Sequence, residues 1–211
     1  NWLKSISVEH NQLILKEYRY LVHRFTLWMG LTISKTENEV VRQLILPNFV
    51  EESGSINGAK SHLKMLDDLI HSVGIEKPVE YTPSAETKRI EQTFYSIYDE
   101  GDTYKSLCVL GPSTEAISHQ FLQPLSDITL KNFPKADTAY FDTHLSEVED
   151  EHAIAIEKAI SIMEEQDLSL ILNKGNFINL GFNLHREFWK NIEQICESQT
   201  SSNRKDGIVL C

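Results

Sequence analysis

Apolar residues recur at helical spacing along nearly the whole chain, and strand-type alternation is almost absent. The clearest example is the segment 139–163, AYFDTHLSEVEDEHAIAIEKAISIM, which predicts one long helix. On a helical wheel, one stripe of this segment contains Phe141, Leu145, Val148, His152, Ala155, Ala159 and Met163. His152 therefore lies within a core-facing stripe, and His144 lies at the edge of that stripe.

The same spacing predicts helices along the rest of the chain. The first runs from Ser5 to Gly30, and the second opens at Thr36 and continues to Val50 with a kink at Pro47. Further helices are predicted at about 62–73, 85–98, 103–132 and 177–197. The helix at 103–132 is expected to be broken near 111–112 or at 124. We therefore expect an all-α, single-domain bundle of about seven helices over residues 1–198, with a mobile tail at 199–211.

Composition narrows the classes of partner. The chain has 211 residues, 41% of them hydrophobic and 24% charged, which is ordinary for a globular domain. A net charge of −11 argues against binding to nucleic acid or to an anionic membrane. The three cysteines are scattered, and the sequence shows neither an 18-residue apolar run nor a signal peptide. These features favour a reducing, cytoplasmic setting. The sequence leaves a homodimer open.

Three segments place a carboxylate or an imidazole where the apolar pattern points inward. They contain Glu52 with His62, then Glu115, and then His144 with His152. A helical bundle that collects carboxylates and imidazoles in its core is suited to two iron or manganese ions. The ferritin-type Glu-x-x-His signature is not present in duplicate, so the ordinary ferritin-like pattern is excluded.

Each of these residues also has a simpler interpretation. An inward histidine is more often a hydrogen-bonded core residue than a ligand, and the acidic run 147–151 is compatible with a solvated helix face. Nothing in the pattern recruits His71, His119 or His185. The residues alone therefore leave both interpretations open.

The order of these segments resembles a known family. Glu51-Glu52-Ser53-Gly54 is followed by His62, a later glutamate and a helix with two histidines, and YRYLVHRF (18–25) and FW (188–189) flank them. Over about 13–189 the chain resembles the haem-oxygenase-like diiron oxidases and oxygenases. These are relatives of thiaminase II, pyrroloquinoline-quinone synthase and the chlamydial protein associating with death domains. The resemblance implies a haem-oxygenase-like fold and an enzyme that uses dioxygen to oxidise a small organic metabolite.

The resemblance also implies a ligand set. Two iron ions, with manganese as the alternative metal, would be bound by Glu52, His62, Glu115, His144, Glu149 and His152. The family usually places an acid four residues after the first histidine of the last motif and the second histidine three residues later. Here Val148 is at the first position and His152 is eight residues after His144. A π-bulge would let Glu149 take the role of the acid, and Glu147 is the second choice for this role. The altered spacing implies a site for one metal ion or for two ions of unequal affinity.

Three other functions remain open. A metal-free enzyme of the thiaminase II type would need a nucleophile, for which Cys108 is the only cysteine inside the bundle region. A non-catalytic helical binding protein would need no site, and haem degradation would need His10 or His23 as the proximal ligand. If there is a substrate pocket, Tyr18, Tyr20 and Phe49 are expected to line it.

Overall fold

The computed structural model describes residue 2 and residues 6–54, 58–146 and 148–206, without the side chains of 148–150 and 200–206. These ranges contain helices and no strand, so the all-α prediction is confirmed. The α-helices are α1 (Val8–Val22), α2 (Phe25–Lys35), α3 (Glu39–Ser53), α4 (His62–Ser72), α5 (Ala85–Glu100), α6 (Thr103–Leu110), α7 (Ser118–Asn132), α8 (Ala139–His144), α9 (Val148–Gln166) and α10 (Ile171–Asp206). Short 3-10 turns lie at Pro78–Glu80, Glu115–Ile117 and Leu168–Leu170.

Polar side chains fix where several helices begin. The side-chain oxygens of Ser7, Ser61, Ser84 and Asp102 each accept a hydrogen bond from a backbone N–H of the following helix. Asn38 caps α3 in the same way, through Val40 N at 3.0 Å and Val41 N at 3.1 Å. The helix predicted to open at Thr36 is therefore α3, and it begins after Asn38.

The predicted first helix is divided into α1 and α2, so its continuity from Ser5 to Gly30 is wrong. The division lies at His23 and Arg24, and Nδ1 of His23 lies 2.5 Å from the carbonyl oxygen of Tyr20. An imidazole that satisfies a C-terminal carbonyl stabilises a helix end without glycine or proline. The apolar stripe is unbroken across this point, which is why periodicity alone missed it.

The predicted long helix at 139–163 is also divided, into α8 and α9. Oγ of Ser146 donates to the carbonyl oxygen of Thr143 at 2.7 Å, and α8 ends at His144. Helix α9 begins at Val148, and Glu147 lies outside the described residues. The segment is therefore neither a straight helix nor a helix with a π-bulge, since its two histidines lie on separate helices.

Other boundaries agree more closely with the sequence. The chain breaks at Gly111, one of the two positions expected, and α7 continues through the other, Pro124. Helix α3 contains Pro47, as the predicted second helix does. Helix α10 is longer than predicted and extends through 199–206, where a tail was expected. Residues 207–211 lie outside the described residues.

The packing of five helices creates the setting for the candidate site. Helix α3 packs along α9 and also contacts α4, and α8 lies against α4, α7 and α9. The 3-10 turn at Glu115–Ile117 contacts α9 and α7. These segments therefore converge on one region of the core. None of the described helices combines the length and the apolarity needed to cross a membrane.

Candidate metal centre

Five of the six predicted ligands lie in the core. Glu52 is in the last turn of α3, His62 begins α4, Glu115 begins a 3-10 turn, His144 ends α8, and His152 is in the first turns of α9. Their exposed fractions range from 3% to 8%. Charged and imidazole groups are rarely buried in this way without partners, so their convergence needs a chemical explanation.

The five residues form two groups that share one carboxylate. Glu52, His62 and His144 form the first group, and Glu52, Glu115 and His152 form the second. Within each group one ligand atom from every residue lies within 4.8 Å of the others. The first group offers two imidazoles and a carboxylate, which is the donor set of many non-haem ferrous sites. The second offers two carboxylates and one imidazole.

A glycine turn brings the first two residues together. Oε1 of Glu52 lies 2.7 Å from Nδ1 of His62. Between them Gly54 has φ +81°, and a Cβ at this position would lie 2.7 Å from both the Ala59 oxygen and the Ser61 nitrogen. Only glycine fits this conformation and this space. Ser61 then caps α4 directly before His62.

The ring of His144 is oriented by its own helix. Its Nδ1 lies 2.8 Å from the carbonyl oxygen of Tyr140, which is one turn earlier on α8. Because a carbonyl oxygen only accepts, Nδ1 carries the proton in the neutral ring and Nε2 has the lone pair that a metal needs. The rings of His144 and His62 have centroids 4.6 Å apart at an interplanar angle of 64°.

His152 connects α9 to α3. Asn48 donates from Nδ2 to the carbonyl oxygen of His152 at 3.2 Å, and Nε2 of His152 lies 3.1 Å from Oε2 of Glu51. The other ring nitrogen, Nδ1, is buried and has no hydrogen-bond partner among the described residues. An unsatisfied buried nitrogen costs roughly 1–3 kcal/mol, which a metal ion bound to it would offset.

The sixth predicted ligand, Glu149, lies on α9, but its side chain is outside the described residues. Glu147, the second choice for the acid, lies wholly outside them. The role of either acid therefore stays a prediction.

A cavity of about 70 Å³ adjoins the centre and is lined by Glu52, His62, Glu115 and His144 among others. Its walls are largely aromatic and aliphatic. Tyr18 lines it as expected, whereas Tyr20 and Phe49 do not, so that part of the prediction is wrong. The wall residues of α1 are Tyr18, Leu21 and Val22, so Tyr20 is not on the face of this helix that borders the cavity.

The electrostatics of this region favour a bound cation. The carboxylates of Glu52 and Glu115 lie within 4.8 Å of each other, and none of the described residues that line the cavity is a lysine or an arginine. Two buried like charges repel unless a cation lies near both. Burial, and after it the charge of Glu115, raise the pKa of Tyr98 well above its usual range.

The wall residues that the sequence did not predict include Tyr140 and His185. Tyr140 donates to or accepts from the Tyr18 hydroxyl at 2.9 Å, and its ring lies 4.1 Å from that of His144. His185 of α10 also lines the cavity. A signal was present for both. Tyr140 is four residues before His144, and His185 falls on one helical stripe with Phe188 and Ile192.

Comparisons with known proteins add the following. A sequence model of a family described as iron-containing redox enzymes matches residues 12–170. Two crystal structures of a Cadd-like protein of unknown function from Nostoc punctiforme are similar to this chain. One, at 2.00 Å resolution, is 19% identical, with a TM-score of 0.79 over 92% of this chain and 85% of that chain. The other, at 1.35 Å, is 17% identical, with a TM-score of 0.75 over 93% and 84%. None of the curated proteins compared matches the chain.

Proposed function

The chain belongs to a haem-oxygenase-like family of iron-containing redox enzymes, as its motifs predict, and we propose that it is a non-haem diiron oxidase or oxygenase. In this proposal it uses dioxygen to oxidise a small organic metabolite. The observation that supports two ions is the pair of three-residue groups that share Glu52. Each group has a donor set of carboxylate oxygens and imidazole nitrogens, which iron and manganese both accept.

The proposal assigns each residue a position. His62 and His144 would hold one ion, Glu115 and His152 would hold the other, and Glu52 belongs to both groups. The buried Nδ1 of His152 fits this assignment because it has no partner among the described residues. Iron, when bound, supplies the redox chemistry between dioxygen and the substrate.

The residues around the centre have separate tasks. The apolar wall of the cavity excludes water from the reacting groups. The carbonyl of Tyr140 holds the ring of His144 in the tautomer that presents Nε2. The hydrogen-bonded hydroxyls of Tyr18 and Tyr140 are a polar pair at the wall, beside His144, and they can orient a substrate or exchange a proton with it.

The metal-free alternative receives less support. It needs an activated thiol, but Cys108 is fully buried on α6 and burial raises its pKa to about 12. Neither Cys108 nor Cys196, the two cysteines among the described residues, lines the cavity. The cavity of about 70 Å³ is also smaller than one of about 150 Å³ that holds benzene, so it gives no support to haem binding.

The decisive experiment is anaerobic loading with ferrous iron, and with manganese in parallel, followed by metal analysis. We expect about two ions per chain in the unchanged protein and a lower content in His62→Ala and His152→Ala. His71→Ala is the matched control, because His71 is exposed and belongs to neither group. Admission of air to the loaded protein is then expected to consume dioxygen.

Iron content in the unchanged protein no higher than in His62→Ala and His152→Ala would contradict the proposal. So would an equal loss of iron in His71→Ala, since that would indicate surface binding and not a built site.

A further inference from the structure

His185 is a polar group in the apolar wall of the cavity. It lies on α10, a helix that supplies none of the candidate ligands, and it is 8% exposed. Its ring is held between Phe94, at a centroid distance of 5.2 Å, and Phe121, at 5.8 Å. The same cavity is lined by Glu52 and His62, so His185 is a wall residue of the candidate active site.

A hydrogen bond fixes which nitrogen of His185 carries the proton. Oγ1 of Thr114 donates to the carbonyl oxygen of Val109 at 2.8 Å, which uses its only proton. Thr114 must therefore accept from Nε2 of His185, 3.1 Å away. Burial lowers the pKa of His185 to about 4, so the ring is neutral at pH 7.

The remaining nitrogen is therefore a hydrogen-bond acceptor. In a neutral ring protonated on Nε2, Nδ1 has a lone pair. Among the described residues, Thr114 supplies the one hydrogen bond that the ring of His185 makes. The ring of His185 lines the cavity, so this lone pair can accept a hydrogen bond from a ligand there.

The rest of the wall narrows the class of ligand. Its aromatic members are Tyr18, Phe25, Trp28, Phe94, Phe121 and Tyr140. None of the described lining residues is a lysine or an arginine, so recognition by the wall rests on apolar contact and on hydrogen bonds. A volume of about 70 Å³ is about half of the roughly 150 Å³ that accepts a benzene ring, so the cavity accepts a short aliphatic group.

We propose that the substrate carries a short aliphatic group with a hydroxyl or an amide N–H, and that this group donates a hydrogen bond to Nδ1 of His185. His185 is then a specificity-determining residue that positions this group, and Thr114 positions His185. The inference rests on the proposed function for the identity of the site, because it names the class of substrate that the same cavity accepts.

The test compares two isomers of equal size on the metal-free protein, 1-propanol and ethyl methyl ether. Only the alcohol can donate a hydrogen bond. We expect the unchanged protein to bind the alcohol roughly three- to tenfold more tightly, measured as dissociation constants by ligand-observed NMR. His185→Met, which fills the space without the acceptor, is expected to bind both isomers equally. Thr114→Ser keeps the hydroxyl and is expected to retain the preference.

Equal binding of the two isomers by the unchanged protein would overturn the inference, and so would a preference that persists in His185→Met. Circular dichroism verifies folding, and His185→Phe, which keeps an aromatic ring between Phe94 and Phe121, replaces the methionine variant if that variant does not fold.

Iron loading of the same proteins separates this inference from the proposed function. His185→Met is expected to bind as much iron as the unchanged protein, because His185 belongs to neither ligand group. Normal iron binding without an alcohol preference contradicts the substrate class alone. An alcohol preference without iron binding contradicts the diiron function alone.

Discussion

The carboxylate of Glu52 contacts the imidazole of His62 at 2.7 Å, although the two residues end and begin different helices. Gly54, with φ +81°, starts the turn between these helices, and Ser61 caps the second one. Backbone geometry at a residue with no side chain therefore determines whether two candidate ligands meet.

Replacement of Gly54 tests this dependence. Gly54→Ala is expected to lower the free energy of unfolding by roughly 1–3 kcal/mol, because alanine is strained at this φ and its Cβ meets Ala59 and Ser61. Iron binding is expected to weaken as well. Denaturant titration and iron loading measure the two effects. Gly58→Ala is the matched control, since Gly58 also has positive φ but its Cβ would meet nothing within 4 Å. Equal losses in both variants would contradict the role of the close contact.

The shared carboxylate predicts an asymmetry among ligand variants. Glu52→Ala is expected to lower iron content from about two ions per chain to nearly none, because both groups include Glu52. Glu115→Ala and His144→Ala are each expected to remove about one ion, since each belongs to one group. Anaerobic titration with metal analysis measures these contents. The same loss in all three variants would argue against two positions with a common ligand.

His185 predicts a pH dependence of stability. Its pKa is lowered by burial from 6.5 to about 4, so the unfolded chain binds more protons than the folded chain between these values. Proton uptake by His185 therefore leaves the free energy of unfolding unchanged above about pH 6.5 and lowers it by roughly 3 kcal/mol as the pH falls to 4. Denaturant titrations of the metal-free protein are expected to show a smaller acid loss in His185→Met. An unchanged pH profile in that variant would refute the assignment.

Two glycines of α10 are expected to respond in opposite directions. A Cβ on Gly181 would lie 2.8 Å from Cβ of Ser113 and closer still to its Oγ, so Gly181→Ala forces α10 away from the segment that holds Thr114. A loss of about 1–3 kcal/mol in the free energy of unfolding is expected. Gly175→Ala meets nothing within 4 Å and is expected to gain about 0.5–1 kcal/mol through helix propensity. Thermal unfolding compares them, and a gain in both would contradict the close approach.

The helical content and the approximate helix positions were predictable because the apolar spacing is regular. The ends at Val22 and His144 were not, because side chains of His23 and Ser146 satisfy the last carbonyls there without glycine or proline. Local hydrogen bonds of this kind depend on rotamers, which a residue pattern does not specify.

The candidate site was likewise predictable only in part. Carboxylates and histidines that interrupt apolar stripes were visible in the sequence, and Glu52, His62 and Glu115 do converge. The chemistry of the cavity wall was not visible. His185 reaches it because Gly181 lets α10 approach Ser113, and that contact joins residues far apart in the chain.

The division between α8 and α9 has a consequence for the way such proteins are recognised. Helical periodicity measures distance only within one helix, and His144 and His152 belong to two. The number of residues between them therefore reports the length of a connection and not an angle around an axis. A sequence signature with fixed histidine spacing would reject this chain, although both imidazoles are buried and each shares a ligand group with Glu52.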